Sequence, residues 1–135
     1  MTTTTEPRTW TLTFVAPAPF LNANKRYKRR PTAEIREWRN AAKQHAAVQK
    51  LPRGLVRVSV SAEIRFPADG RHRDAHNYFA TVKACVDGLV DHGLIPDDRR
   101  EHLADTSIAE GESLPKRRFQ PPGEITLTIR EVARG

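Results

Sequence analysis

The chain has 135 residues, of which 38% are hydrophobic and 29% charged, and its net charge is +7. This length suits one domain with one hydrophobic core, and the composition is that of a soluble globular protein rather than a disordered one. No apolar run approaches the roughly 20 residues that span a bilayer, and the segment MTTTTEPRTW lacks the basic and apolar regions of a secretory signal, so we predict a cytoplasmic location and no membrane partner.

The first predicted element is a strand from Thr9 to Val15, where Trp10, Leu12 and Phe14 alternate with polar residues. Residues 1–8 before it are predicted to be a disordered tail, and residues 9–132 to form a single domain. The Pro- and Asn-containing segment 16–31 that follows is predicted to be a loop.

That loop is strongly basic. Residues 1–53 carry eleven Lys and Arg against three Asp and Glu, and KRYKRR at 25–30 places five cations around Tyr27. Such a cluster can neutralise phosphates and release counterions, with the tyrosine available for stacking on a base. It is equally typical of a solvated loop that aids solubility, and the sequence leaves both interpretations open.

A helix is predicted from Thr32, its expected N-cap, to about Gln49. Its apolar positions include His45, which we expect to be half-buried and satisfied rather than a ligand. A strand within residues 54–66 comes next, and its buried face is predicted from the alternation to be Val56, Val58, Val60, Ala62, Ile64 and Phe66.

The second predicted helix runs from about Tyr78 to His92, capped by Asn77 and ended by Gly93. Its buried stripe should be Phe79, Val82, Val86, Leu89 and Val90. The lone Cys85 excludes an internal disulfide and is expected to be a small buried side chain. Strands within 105–112 and 124–132 complete the order β, α, β, α, β, β, which predicts an α+β fold with a small mixed, largely antiparallel sheet and two main helices.

Acidic residues flank this second helix. Asp74 and His76 project to the same side if their segment is extended, and Asp97 and Asp98 follow the helix in a turn bounded by Gly and Pro. Clustered oxygen ligands suit Mg²⁺ or Mn²⁺ and would support phosphodiester hydrolysis, with Lys83 stabilising charge on the phosphate. Lys83 and Asp87 are also spaced as an ordinary i,i+4 surface ion pair.

The length of the second predicted helix limits how closely these acidic residues can approach one another. About 15 residues rise roughly 22 Å, so Asp97 and Asp98 should leave the helix far from Asp74, and the few residues after it cannot return that distance. A two-fold homodimer would solve the difficulty if Asp97 or Asp98 of one subunit completed the Asp74 site of the other.

In their order, RHRDAHN, KACVD and IPDD resemble the RusA family of Holliday junction resolvases of bacteria and phages, over about residues 9–132. The segment APAPFLNANKRYKR is similar to that family's Pro-rich strand exit followed by Asn and basic residues. Two features depart from its pattern: His76 replaces an Asp, and the spacing from Asn77 to Lys83 is longer.

The resemblance implies a RusA-like homodimer that nicks two opposing strands of a four-way DNA junction with a divalent metal. Asp74, His76, Asp97 and Asp98 would bind Mg²⁺, or Mn²⁺ because of His76, and with Lys83 would form the catalytic set; Asn77 and Asp87 would support them. No small-molecule cofactor is expected. The residues implied to contact DNA are Asn24, Lys25, Arg26, Tyr27, Lys28, Arg29, Arg30, Arg71, Arg73, Lys116, Arg117 and Arg118.

Other interpretations remain. If His76 abolishes catalysis, the protein would be a weak or inactive branched-DNA-binding protein of the same fold. The Asp residues could instead serve only as helix caps and polar turns. His72 and His76 have the i,i+4 spacing of zinc ligands, but they precede the predicted helix, and HRD lacks the rest of a kinase catalytic loop.

Overall fold

The computed structural model describes residues 7–23, 25, 27–71, 73–116 and 120–133. These residues form strand β1 (Thr9–Val15), helix α1 (Thr32–Val48), strand β2 (Val58–Arg65), a 3-10 turn (Ala75–Tyr78), helix α2 (Phe79–His92), strand β3 (Leu103–Glu110) and strand β4 (Glu124–Glu131). Among them, no helix is both long enough and apolar enough to span a lipid bilayer.

The strands form one mixed sheet in the order β1-β4-β2-β3. The β1–β4 and β2–β4 pairs are antiparallel, whereas β2 and β3 are parallel and are joined through α2. The predicted α+β fold, with two main helices and a mixed sheet, is therefore confirmed. The structure describes one chain, so the homodimer stays a prediction.

Only one face of the sheet is buried. On β2 the side chains of Val58, Val60, Ala62 and Ile64 are buried, while the intervening residues are at least partly exposed. The buried residues join those of both helices in one hydrophobic core. The opposite face is polar, and there the Thr13 and Thr126 hydroxyls lie 3.0 Å apart. The period-two pattern of each strand produces this asymmetry.

The two helices approach closely at a glycine. A Cβ added at Gly88 would lie 2.2 Å from the Arg39 carbonyl oxygen and 2.9 Å from the Ala42 Cβ. On the rim of this contact, Arg39 donates two hydrogen bonds to the Asp91 carboxylate, at 2.5 and 2.8 Å. A larger residue at 88 would separate α1 from α2.

Several local predictions need correction. Strand β2 begins at Val58, so Val56 is 43% exposed instead of buried, and Phe79 is 46% exposed because it lies in the first turn of α2. Asn77 lies inside the 3-10 turn, and Thr32 is the first residue of α1 rather than its cap. The predicted end of α2 is confirmed, since Gly93 has the left-handed φ of 97° that glycine tolerates.

Some predictions fall outside the described residues. These are the predictions for residues 1–6, Asn24, Arg26, His72, Arg117 and Arg118. Within the described part of the predicted tail, the Arg8 guanidinium donates two hydrogen bonds to the Glu131 carboxylate, at 2.9 and 3.0 Å. Arg8 is thereby tied to the end of β4.

Candidate functional site

The segment before α2 is shaped by Asp74. Its backbone is extended, and its carboxylate accepts a hydrogen bond from the His76 amide at 3.0 Å. The chain then turns into the 3-10 turn, so Asp74 and His76 do not follow the extended geometry that would place both side chains on one side. Both are exposed, and here the Asp74 carboxylate caps the turn.

Lys83 lies between two carboxylates. Its ammonium donates a hydrogen bond to Asp87 at 2.7 Å and another to Asp98. Burial lowers the pKa of Lys83, but the hydrogen bonds to Asp87 and then Asp98 outweigh that effect and leave it raised. The pKa of Asp98 is lowered, first by its hydrogen bond to Lys83. All three charged groups share one site.

This contact shows how far the loop after α2 returns along the helix. The loop after Gly93 folds back until Asp98 reaches Lys83 at the level of Asp87, which lies roughly 12 Å from the start of the helix. The few residues after the helix therefore return along only part of its length, and the prediction that they cannot reach Asp74 within one chain is not overturned. Asp97 does not point the same way: its carboxylate accepts the Arg99 amide at 2.9 Å and stabilises the turn.

The four predicted metal ligands do not come together within the described part of this one chain, and the site shared between two subunits of a homodimer stays a prediction. No three His, Cys, Asp or Glu side chains among those residues come together as a possible metal site. Asp74 and His76 lie at the 3-10 turn before α2. The Asp97 carboxylate stabilises the turn that contains Arg99. Asp87 and Asp98 both contact Lys83. Their roles in catalysis stay predictions.

An open groove lies beside the 3-10 turn, with a volume of about 540 Å³. Its inner wall is aromatic: Phe20 lies 5.3 Å from Phe66 and 5.9 Å from Tyr78, measured between ring centroids. Lys25 and Arg71 are exposed at its edge. The groove therefore combines ring surfaces with positive charge.

Arg73, which also lines the groove, has a structural role. Its guanidinium donates hydrogen bonds to both oxygens of Asp69, at 2.6 and 3.1 Å, and lies 4.7 Å from the centroid of the Phe66 ring. The hydrogen bond from Arg73, and a second from the Arg71 amide, lower the pKa of Asp69 to about 2. The side chain of Arg73 is only 14% exposed, so its charge is already paired.

The basic loop enters the groove only in part. The ammonium of Lys25 lies 5.3 Å from the Tyr27 ring centroid, and the Tyr27 hydroxyl accepts a hydrogen bond from the backbone N–H of Asn22 at 3.2 Å. The other described cations of the predicted DNA-contacting set are exposed but line no part of the groove: Lys28, Arg29, Arg30 and Lys116. Their contact with phosphates stays a prediction.

Sequence reasoning missed the residues that build this groove. Phe20 and Asn22 fall in the segment 16–31, for which the sequence predicts only a basic loop, and Asp69 has no predicted role. The spacing of Asp69 and Arg73, four residues apart beside an aromatic residue, is the one sequence signal that could have indicated a fixed ion pair.

No family model matches the chain, and no curated protein matches it. Solved structures do match. The periplasmic domain of Helicobacter pylori MotB (residues 90–256) is 13% identical, with a TM-score of 0.44, and the alignment covers 97% of this chain and 78% of that one. A second structure of a MotB periplasmic domain (residues 64–256) is 14% identical, with a TM-score of 0.45, covering 97% and 67%.

These findings correct the predictions that depended on the RusA resemblance. The matched structures are MotB periplasmic domains, and no family or curated match to a resolvase is found. These comparisons contradict the RusA assignment, junction resolution, the branched-DNA partner and the cytoplasmic location. The MotB likeness is itself too distant to carry a function or a location for this chain.

The structure gives a physical reason why the motif order misled. Asp74 caps a 3-10 turn, Lys83 and Asp87 form an i,i+4 pair, and Asp97 closes an Asx-type turn. Each of these is a common device at the ends and on the surface of a helix. Several short devices in sequence can therefore resemble a catalytic pattern.

Proposed function

We propose that the chain is a divalent-cation-dependent phosphodiester hydrolase whose reactive centre is the cluster formed by Lys83, Asp87 and Asp98. The observation that carries the proposal is the convergence of two carboxylates, one from α2 and one from the loop after it, on a single cationic group. Lys83 and Asp87 alone would be an ordinary i,i+4 pair, but Asp98 comes from a separate segment, and two accessible carboxylates match the one or two that Mg²⁺ usually takes from a protein.

The cluster is accessible. The side chains of Lys83 and Asp98 are 50% and 41% exposed, so a substrate can reach them from solvent. Arg99 and Arg100 follow Asp98 directly, and both are exposed. These cations favour the approach of a phosphate to a point that two carboxylates would otherwise make repulsive.

Asp87 and Asp98 would supply part of the coordination of a Mg²⁺ ion. Mg²⁺ is usually held by one or two carboxylates, with water and substrate phosphate completing its coordination, so Asp87 and Asp98 are a sufficient protein contribution. Their donor set already holds a cation, the Lys83 ammonium, at 2.7 Å from Asp87. A bound metal would supply Lewis-acid polarisation of the phosphoryl oxygen and a more acidic water.

The protein's own groups have separable tasks in this proposal. Asp87 and Asp98 hold the cation. Lys83, released from them, pairs with the anionic phosphate and stabilises the charge that develops there. Asp74 and His76, exposed at the start of the same helical segment, are proposed to position the substrate.

The test is hydrolysis of bis(p-nitrophenyl) phosphate by the purified chain with Mg²⁺, and then with Mn²⁺. The variants are Asp87→Asn and Asp98→Asn, and the matched control is Asp91→Asn. Asp91 lies on the same helix but pairs with Arg39, outside the cluster. We expect cation-dependent release of p-nitrophenol that falls at least tenfold in the two cluster variants and stays near wild type in the control.

Binding of Mn²⁺, followed by isothermal titration calorimetry, gives a readout independent of turnover. Asp87→Asn and Asp98→Asn should each weaken it, and Asp91→Asn should not. Hydrolysis that is unaffected by both cluster variants, or an absence of cation binding by the folded wild-type chain, would refute the proposal. Asp74→Asn tests the second part: a fall in turnover with unchanged Mn²⁺ affinity would assign Asp74 to the substrate.

A further inference from the structure

The groove beside the 3-10 turn is separate in its lining residues from the Lys83 cluster, and the proposed hydrolysis does not account for it. It is lined by residues from three stretches of chain, including Phe20, Phe66, Tyr78 and several prolines. A volume of about 540 Å³ lies within the roughly 300–1,000 Å³ typical of small-molecule sites. The feature therefore has the size of a ligand site.

The aromatic wall is held in place by burial of two of its rings and by an ion pair that packs on one of them. Tyr78 and Phe66 are buried, at 9% and 3% exposure, and Arg73 packs on Phe66 while it pairs with Asp69. Phe20 packs against both rings but is itself only half-buried. Phe20 also packs on Trp38, at 5.0 Å between ring centroids, and the part of its ring that stays accessible lines the groove, which suits contact with a planar apolar group.

The charge of the groove is positive after internal pairs are removed. Asp69 and Arg73 cancel each other through their two hydrogen bonds. Lys25 and Arg71 remain, both exposed at the edge of the groove. The groove is therefore complementary to a ligand that carries negative charge at one end and a flat apolar face at the other.

Amide groups complete the lining. Asn22 and Gln120 line the groove, and the Asn22 side chain donates a hydrogen bond to the Tyr78 hydroxyl at 3.4 Å. The Gln120 side chain donates to the Pro115 carbonyl at 3.4 Å; an amide carries two N–H donors and an acceptor oxygen, the kinds of group that pair with the edge of a heterocyclic base. A ring, a polar ring edge and a phosphate are together the parts of a nucleotide.

We infer that this groove binds a nucleotide unit, with the base against Phe20 and the phosphate against Lys25 and Arg71. The inference is independent of the hydrolase proposal, because its residues are different from the Lys83 cluster. The same chemistry is presented by a free mononucleotide and by a nucleotide within a single strand of nucleic acid.

The experiment measures fluorescence polarisation of N-methylanthraniloyl-AMP on the full chain, with displacement by AMP, adenosine and inorganic phosphate. We expect AMP to displace the probe far better than adenosine or phosphate, because it alone presents both ring and charge. Lys25→Ala and Arg71→Ala should each weaken binding about tenfold, since each removes a charged hydrogen-bond donor. The control Lys43→Ala removes an exposed cation of α1 and should leave affinity unchanged.

Phe20→Leu keeps an apolar side chain but removes the ring, and should weaken AMP while leaving inorganic phosphate unaffected. Thymidine oligonucleotides distinguish the two sources: tighter binding of the oligomer than of AMP indicates a strand, and the reverse indicates a free nucleotide. The inference is overturned if inorganic phosphate competes as well as AMP, or if AMP affinity is the same in Lys25→Ala, Arg71→Ala and Lys43→Ala. Circular dichroism of each variant separates loss of binding from loss of fold.

Discussion

The hydroxyl of Thr81, inside helix α2, is hydrogen-bonded to both backbone groups of Leu21. It accepts from the Leu21 amide at 2.8 Å and donates to the Leu21 carbonyl at 3.4 Å, and it is fully buried. One threonine thus satisfies two backbone groups of a segment that belongs to no strand or helix. Because Phe20 and Asn22 adjoin Leu21, this contact also fixes the groove.

Thr81→Val keeps the shape of the side chain and removes both hydrogen bonds. Two buried backbone groups of Leu21 would lose their partner, and the free energy of unfolding should fall by about 1–3 kcal/mol. Urea unfolding followed by Trp fluorescence measures this. Thr126→Val, on the polar face of β4, is the control and should stay within about 0.5 kcal/mol of wild type. Equal effects of the two changes would contradict the role assigned to Thr81.

Gly88→Ala should destabilise the protein, although alanine is ordinarily the better helix former. The added Cβ would lie 2.2 Å from the Arg39 carbonyl oxygen, which is backbone and can move only if α1 moves. Overpacking of this kind costs about 1–3 kcal/mol, more than the roughly 1 kcal/mol of helix propensity that alanine gains. Thermal unfolding should show a lower midpoint.

Ala47→Ser, at an exposed position of α1, is the comparison for Gly88→Ala and should shift the midpoint far less. A midpoint for Gly88→Ala equal to or above that of wild type would mean that the helices can separate without loss, and that their close contact is not a constraint on the fold.

Acid should weaken the Asp69–Arg73 pair in a defined range. The folded-state pKa of Asp69 is about 2, below the ordinary value of 3.8, chiefly because of its hydrogen bond from Arg73. A carboxyl whose pKa is depressed on folding contributes stability above its unfolded pKa and loses it as the pH falls through its folded pKa. The contribution is therefore complete above about pH 5, falls as the pH drops through the ordinary pKa, and is mostly lost by about pH 2.

Comparison of wild type with Asp69→Asn isolates this effect, because the other carboxyl groups are common to both proteins. The difference in unfolding midpoint should be constant above about pH 5 and shrink toward zero at pH 2. Arg73→Gln should reduce the same pH dependence, since Asp69 then loses the larger of its two hydrogen-bonding partners and keeps the Arg71 amide. A difference that persists undiminished at pH 2 would contradict the pairing.

Local sequence signals predict the bounds of some elements, whereas burial at the ends of an element depends on the fold. Strand β1 and the C-terminal end of α2 were predicted to the residue, because alternation over Thr9–Val15 and a left-handed Gly93 are local signals. The apolar pattern of the sequence predicts that Val56 and Phe79 are buried. Val56 precedes the first residue of β2, and Phe79 lies in the first turn of α2, so the pattern reaches the ends of these elements where burial is incomplete. Their exposure is set by where the chain enters the sheet and the helix.

The candidate site was less predictable than the fold. That Lys83 could pair with Asp87 follows from helix spacing, but the approach of Asp98 depends on a loop that folds back along the helix. Likewise Phe20, Phe66 and Tyr78 are far apart in sequence and meet only because the loop after β1 packs against the 3-10 turn. Contacts of this kind depend on tertiary packing, which the spacing of residues along the chain does not predict.

Lys83→Met gives the sharpest test of the charge cluster. The substitution keeps an unbranched side chain and removes the ammonium that joins Asp87 and Asp98, so the two carboxylates would face each other unneutralised. The pKa of Asp98, now held down first by its hydrogen bond to Lys83, should rise. Because the groups are largely solvated, the loss of stability near neutral pH should be modest, about 1 kcal/mol or less.

Divalent cations should then distinguish the variant from wild type. In Lys83→Met a metal ion no longer competes with the ammonium, so Mg²⁺ or Mn²⁺ should raise the thermal midpoint more than in wild type, by ligand linkage to the folded state. Lys116→Met, an exposed cation remote in sequence, should respond to the ions as wild type does. If added cation stabilises none of the three proteins, or all of them equally, the pair of carboxylates does not act as a cation site.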